Sequence, residues 1–304
     1  MNTTTNLFLQ PCDESTRNEL NNHIKSNYFF VDVQPIGKSV LGRAIECYTI
    51  GNSSKKILLC GAFHGMEWIT SFVLYKFIIN ICDSIINHKS LQNENLWEYF
   101  SQHSLAIIPC VNPDGVEISI NGSSSANNLR NYIDYLSNGD TLHWQSNAMG
   151  VDLNHNFNAD WQTLKAKEIA MGITSPCATR YGGAYAHSEA ETKALVSFCR
   201  HNSIALAVAF HTQGEEIYWH FGNSTPAISR QIAENMATLS GYTLSTPESI
   251  ATGGGFKDWL IDKLHIPAFT VELGKGKNPL KLNQLQPIYD KTEKMLLYLA
   301  KGIY

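Results

Sequence analysis

The chain has 304 residues, 43% of them hydrophobic and 16% charged, with a formal net charge of -4. That length and apolar content suffice to bury a large core, which excludes disorder as the main state. Low charge density, slight acidity and the lack of any Lys/Arg block exclude the clustered positive surface that nucleic acids and anionic membranes require, so small-molecule or peptide chemistry is expected.

In chain order, residues 1–16 carry neither a basic head nor an apolar run long enough for export, and a cytoplasmic location is expected. Residues 1–34 read as an extension leading into a single domain over 1–304. Strands are predicted over 29–33, 44–50 and 57–62, a helix over 68–87, and a strand over 105–111. The stretch 121–183 is polar, rich in Asn, Ser and Gly, and reads as a long functional loop with little periodicity before Trp161. A helix follows over 189–201, where Ser188 with Glu191 matches a capping box. Strands over 204–210 and 216–221, helices over 227–240 and 255–264, a strand over 268–273 and a helix over 287–301 complete the pattern. This alternation predicts an α/β fold, a three-layer α/β/α sandwich around a mixed, mainly parallel twisted sheet. The most apolar runs, 72–81 and 204–210, fall short of the roughly 18 residues a bilayer span needs, so no membrane span is expected. Seven scattered Cys without a CxxC pair read as reduced, packed thiols.

The chemistry sits at predicted strand ends. His64-Gly-Met-Glu67 directly follows an apolar strand, where an imidazole and a carboxylate three residues apart can converge on one cation. His211 ends the very apolar run 204–210 and is the best third ligand. His, Glu and His leave one position open for water, the arrangement of catalytic zinc. Glu272, in the apolar strand over 268–273, is the candidate base for that water, since a carboxylate in such a setting needs a partner or a task.

Seven motifs occur in order: His64-Gly-Met-Glu67, Asn112-Pro-Asp-Gly115, Gly150-Val-Asp-Leu-Asn-His-Asn-Phe157, Ser188-Glu-Ala-Glu191, Phe210-His-Thr212, Gly254-Gly-Phe-Lys-Asp-Trp259 and Phe269-Thr-Val-Glu-Leu-Gly274. In this the chain resembles the zinc carboxypeptidases from about residue 35 onward, and most their bacterial branch of γ-D-glutamyl-diamino acid peptidases. The resemblance implies one zinc held by His64, Glu67 and His211, with Glu272 as general base. It further implies Arg130 as the oxyanion partner, Asp152 as the carboxylate orienting His64, and Asn154 as a holder of the substrate carboxylate. Family carboxypeptidases follow that Asn with an Arg that clamps the terminal carboxylate; here the position is His155, and Ile250 stands where they carry a tyrosine. Ordinary carboxypeptidase specificity is therefore not expected, and a muropeptide or related peptide is the implied substrate, with meso-diaminopimelate or another diamino acid at the cleaved amide. Arg180 is a candidate for a substrate carboxylate, and Tyr218, Trp219 and His220 for the pocket wall. The rival readings are a broader zinc carboxypeptidase, an N-acyl amino acid deacylase of the aspartoacylase type, disfavoured because little more than one helix follows Glu272, and a non-catalytic cell-wall peptide binder. The oligomeric state is left open.

Overall fold

The computed structural model describes residues 6–92, 95–100 and 103–302; residues 1–5 and 303–304 of the expected domain lie outside the described residues. Among the described residues there are eight strands: β1 (Val31–Lys38), β2 (Ala44–Gly51), β3 (Lys55–Cys60), β4 (Ser104–Ile108), β5 (Ser203–His211), β6 (Glu216–Tyr218), β7 (Thr243–Leu244) and β8 (Ala268–Glu272). They form one sheet in the order β1-β2-β4-β3-β5-β8-β6-β7. Its centre, β4, β3, β5 and β8, is parallel, while β1 and β2 join antiparallel on one side and β6 joins β8 antiparallel on the other. The expected mixed, mainly parallel sheet is thus found, with β7 as an unforeseen two-residue addition.

The apolar runs of the central strands reflect burial on both faces. Ile57, Leu59, Leu206, Val208 and Phe210 face one layer and Leu58, Cys60, Ala207 and Ala209 the other. The first layer is built on α1 (Glu14–Asn27), α2 (Ile69–Ile86) and, at the carboxyl end of the chain, a helix over Leu285–Lys301. The second rests on helices over Ala190–His201 and Phe256–Trp259, with Leu195, Phe256 and Trp259 fully buried. By length and composition the segment Gly65–Ile86 is apolar enough to cross a membrane. In the fold Phe72, Val73, Phe77, Ile78 and Ile81 of this helix are packed into the core. All seven cysteines are free, and only Cys177 is not fully buried.

Three expectations are corrected. The extension over 1–34 contains α1, capped by the Asp13 side chain accepting from Thr16 N. It is pinned to the body by buried Arg17, which pairs with Glu117 at 3.2 Å. The stretch 121–183 is not one loop: it holds helices over Arg130–Ser137 and Trp161–Ala170. Ser188 and Glu191 form no capping box; Glu189 is the cap, without a side-chain bond. Glu191 turns inward instead and accepts from Val40 N at 3.2 Å and Asn147 Nδ2 at 3.2 Å.

Candidate metal centre

The parallel core brings the carboxyl ends of β3, β5 and β8 side by side, the edge at which open α/β sheets collect ligands. From the end of β3 the chain turns tightly through His64 into a single 3-10 turn, Gly65–Glu67. Gly65 is required there: a Cβ on it would lie 2.2 Å from the carbonyl oxygen of Gly115. Gly115 is equally confined by the Asn112 side chain, whose amide caps the helix over Pro113–Asn121. The glycines of two separate motifs therefore pack backbone on backbone beneath the site.

His64 Nδ1 lies 2.9 Å from Glu67 Oε1, His211 Nδ1 lies 3.0 Å from Glu67 Oε2, and the two Nδ1 atoms are 3.3 Å apart. One ligand atom from each residue falls within 4.8 Å of the others. Thr212 N donates to Glu67 Oε2 at 3.2 Å. On its far side His64 Nε2 lies 3.1 Å from Asp152 Oδ1, which holds the proton on Nε2 and leaves the Nδ1 lone pair facing the cluster. The donor set fits zinc: two imidazole nitrogens and a carboxylate, all buried, converge on one point. The charges agree. Burial alone would lower the His64 imidazole, yet Glu67 and Asp152 hold it well above its ordinary value. Burial, the largest single influence, would raise Glu67, but the His64 and His211 imidazoles together bring its carboxyl down to about 2.

Glu272 ends β8 in register with His211 on β5. Desolvation, reinforced by the Glu67 charge, pushes its carboxyl well above the usual range. Asp152 also accepts from Asn154 N at 3.0 Å and, through Oδ2, from Arg180 N at 3.1 Å. The Asn154 side-chain oxygen accepts from Phe256 N at 3.0 Å, which leaves the amide's NH2 end as its donor. His155 is buried, with Nδ1 3.0 Å from both Glu168 Oε1 and the Arg180 carbonyl. Arg180 adopts a positive φ of 68°, its backbone fastened between Asp152 and His155 and its side chain exposed. Tyr218 donates to Glu216 at 2.6 Å on the strand beside Glu272, and the His220 carbonyl accepts from buried Lys257; Trp219 packs on the core rather than forming a wall.

Arg130 is not brought to this cluster among the described residues. It opens the helix over Arg130–Ser137 with its side chain 64% exposed and Asp134 at 3.9 Å. A residue that sequence reasoning missed is present instead: Gln145 Nε2 lies 3.3 Å from His64 Nδ1, and Gln145 Oε1 accepts from the Thr179 hydroxyl. Its sole sequence signal is a place in the polar stretch shortly before Asp152.

The profile of the family described as "Zinc carboxypeptidase" matches residues 18–295. Gamma-D-glutamyl-L-diamino acid endopeptidase 1 of Lysinibacillus sphaericus is 35% identical over 283 residues, covering 92% of this chain and 69% of that protein. Bovine thrombin-activatable fibrinolysis inhibitor, solved with tick carboxypeptidase inhibitor, superposes with a TM-score of 0.72 at 20% identity over 96% of this chain and 97% of that one. The murein-tripeptide amidase MpaA of Escherichia coli O157 gives 0.53 at 20% identity over 88% and 89% of the two chains. The convergent donors and the span of the family profile agree: the chain belongs to the zinc carboxypeptidase family and is a zinc-dependent metallopeptidase.

Proposed function

We propose that the protein hydrolyses the γ-D-glutamyl to diamino acid amide of peptidoglycan peptides, with meso-diaminopimelate as the diamino acid. The observation that carries this reading is His155. At the position where the resemblance expects a guanidinium fork for a terminal carboxylate, an imidazole stands with its Nδ1 committed to buried Glu168 and to a backbone carbonyl. Such a group cannot form two parallel charge-assisted bonds. The 35% identical relative named for this activity supports the same reading.

His64, Glu67 and His211 would hold the zinc, which when bound polarises a carbonyl and brings the pKa of its water toward neutrality. Glu272, one strand from His211, takes the proton of the attacking water on its carboxylate and passes it to the leaving amine nitrogen. Asp152 keeps the His64 proton on Nε2 throughout. The NH2 of Asn154 donates to a substrate carboxylate. Arg180, exposed on a loop whose backbone is bound to Asp152 and His155, meets a second one. A γ-linked D-Glu and a diaminopimelate supply such carboxylates next to the scissile amide.

The test compares kcat/KM for L-Ala-γ-D-Glu-meso-diaminopimelate with that for a peptide ending in Phe. The expected ratio exceeds ten, because loss of one charge-assisted bond of roughly 1.5–3 kcal/mol weakens terminal-carboxylate capture by at least that much. A ratio at or below one would assign an ordinary carboxypeptidase pocket.

A further inference from the structure

We infer that Gln145 is a catalytic residue, its side-chain NH2 donating to the oxyanion that forms when water adds to the scissile carbonyl, in the role the resemblance gives to Arg130. This role requires that the chain be a zinc metallopeptidase and does not depend on which amide it cleaves.

Position comes first. Gln145 Nε2 lies 3.3 Å from His64 Nδ1, the nitrogen that also faces Glu67 Oε1 and His211 Nδ1. The amide therefore borders the point where the ligand atoms converge. Gln145 is only partly buried, so a substrate entering from solvent can reach it. Arg130, by contrast, lies out on a helix surface with Asp134 as its ionic partner.

Orientation is fixed as well. The Thr179 hydroxyl donates to Gln145 Oε1, which turns the NH2 toward the cluster. That choice is also the favourable one electrostatically, since an amide oxygen aimed at the His64 lone pair and the Glu67 carboxylate would face only acceptors. The backbone beneath is tied on both sides: Gln145 N and Ser146 N donate to the Ala178 carbonyl at 3.0 and 3.1 Å. In return the Gln145 and Trp144 carbonyls accept from Gly65 N at 3.0 Å and Met66 N at 2.9 Å, in the turn that carries two metal ligands. A donor held this way is preorganised, and it pays no reorganisation when charge develops in front of it. A neutral amide has a further chemical advantage beside a dication: it stabilises an oxyanion without repelling the metal. Thr179 acts through Gln145 and is a positioning residue.

Three variants test this: Gln145→Ala, Gln145→Met, which keeps length without a donor, and Thr179→Val. Each is loaded with zinc and assayed for metal content, for kcat and KM on whichever peptide the wild type cleaves, and for affinity toward a phosphinic peptide that mimics the tetrahedral oxyanion. Loss of one preorganised donor costs roughly 100-fold to 1,000-fold in kcat. The two Gln145 variants are expected to show that loss with one zinc retained, KM within about threefold, and phosphinate affinity reduced by a similar factor while affinity for the amine product stays near wild type. Thr179→Val is expected to lose about tenfold in kcat by freeing the amide. Unchanged phosphinate affinity in Gln145→Met would overturn the inference. So would loss of zinc in both Gln145 variants, which would make Gln145 a support for His64, or these same losses in Arg130→Ala with Gln145→Met unaffected. If the wild type cleaves ordinary peptides and no γ-D-glutamyl amide, the substrate reading fails and these measurements still decide the role of Gln145.

Discussion

Asp152→Asn tests the organisation of the metal centre most directly, because the substitution changes no shape and forces one of two errors. The carboxylate serves three partners: Oδ1 holds His64 Nε2 at 3.1 Å and Asn154 N at 3.0 Å, and Oδ2 holds Arg180 N at 3.1 Å. An amide has one oxygen to offer. With that oxygen on His64 and Asn154, its NH2 meets the Arg180 N–H, two donors face each other, and the fold loses about 1–3 kcal/mol while the metal site survives. With the amide reversed, NH2 faces His64 Nε2, the imidazole must accept there, and its proton moves to Nδ1, where zinc has to bind. Loss of such an orienting partner costs typically about 10-fold to 100-fold in metal affinity, or about 1.4–2.7 kcal/mol. Competition against a chromophoric chelator at pH 7.5 measures the zinc Kd, and denaturant unfolding of the metal-free protein measures the first error. A variant with wild-type zinc affinity and wild-type stability would show that Asp152 does not serve these three partners as a carboxylate, since neither orientation of the amide can satisfy them all.

His211→Ala leaves two protein ligands and is expected to purify without stoichiometric zinc; full occupancy by metal analysis would remove His211 from the site. Glu272→Gln is expected to keep its zinc and lose roughly 100-fold to 10,000-fold in kcat, and wild-type turnover would place proton transfer on another group. Glu191 provides a pH test of stability. Burial, reinforced by the Asp114 charge and opposed by backbone donors, raises its carboxyl from 4.5 to about 7. The unfolded chain loses this proton near pH 4.5 and the folded one near 7, so the contribution is complete below the lower value and vanishes as pH rises through the upper one. Unfolding free energy is therefore expected to fall by up to about 3 kcal/mol between pH 4.5 and 8 from this group, and Glu191→Gln to remove that slope. A slope unchanged in Glu191→Gln would assign the pH dependence to other carboxyls.

The candidate ligands His64 and His211 and the candidate base Glu272 were legible because each follows or ends an apolar run that reads as a buried strand. His64, His211 and Glu272 stand at strand ends, and a parallel core places such ends together whatever the loops do. The helices over Glu14–Asn27 and Arg130–Ser137 were hidden by their polarity: each buries a narrow stripe, Leu20 and Ile24 in one and Ile133 in the other. Ser188 and Glu191 fit a local capping pattern, and tertiary partners on Val40 and Asn147 overrode it. Gln145 carries no charge and no periodicity. Its place is decided by contacts with Gly65, Ala178 and Thr179, which are distant in sequence, and nothing local announces them.

His64 follows β3 and His211 ends β5, strands that touch in the sheet, yet the two residues stand far apart along the chain. An unfolded chain offers a cation only the half-site of His64 and Glu67, so zinc binds the folded state by preference, and occupancy and folding become one linked equilibrium. At free zinc one hundred times its Kd, that linkage is worth about 2.7 kcal/mol, a sizeable share of what a typical domain possesses. Chelation would then do more than silence the enzyme: it would withdraw a tether between β3 and β5, and protease susceptibility would follow the metal supply.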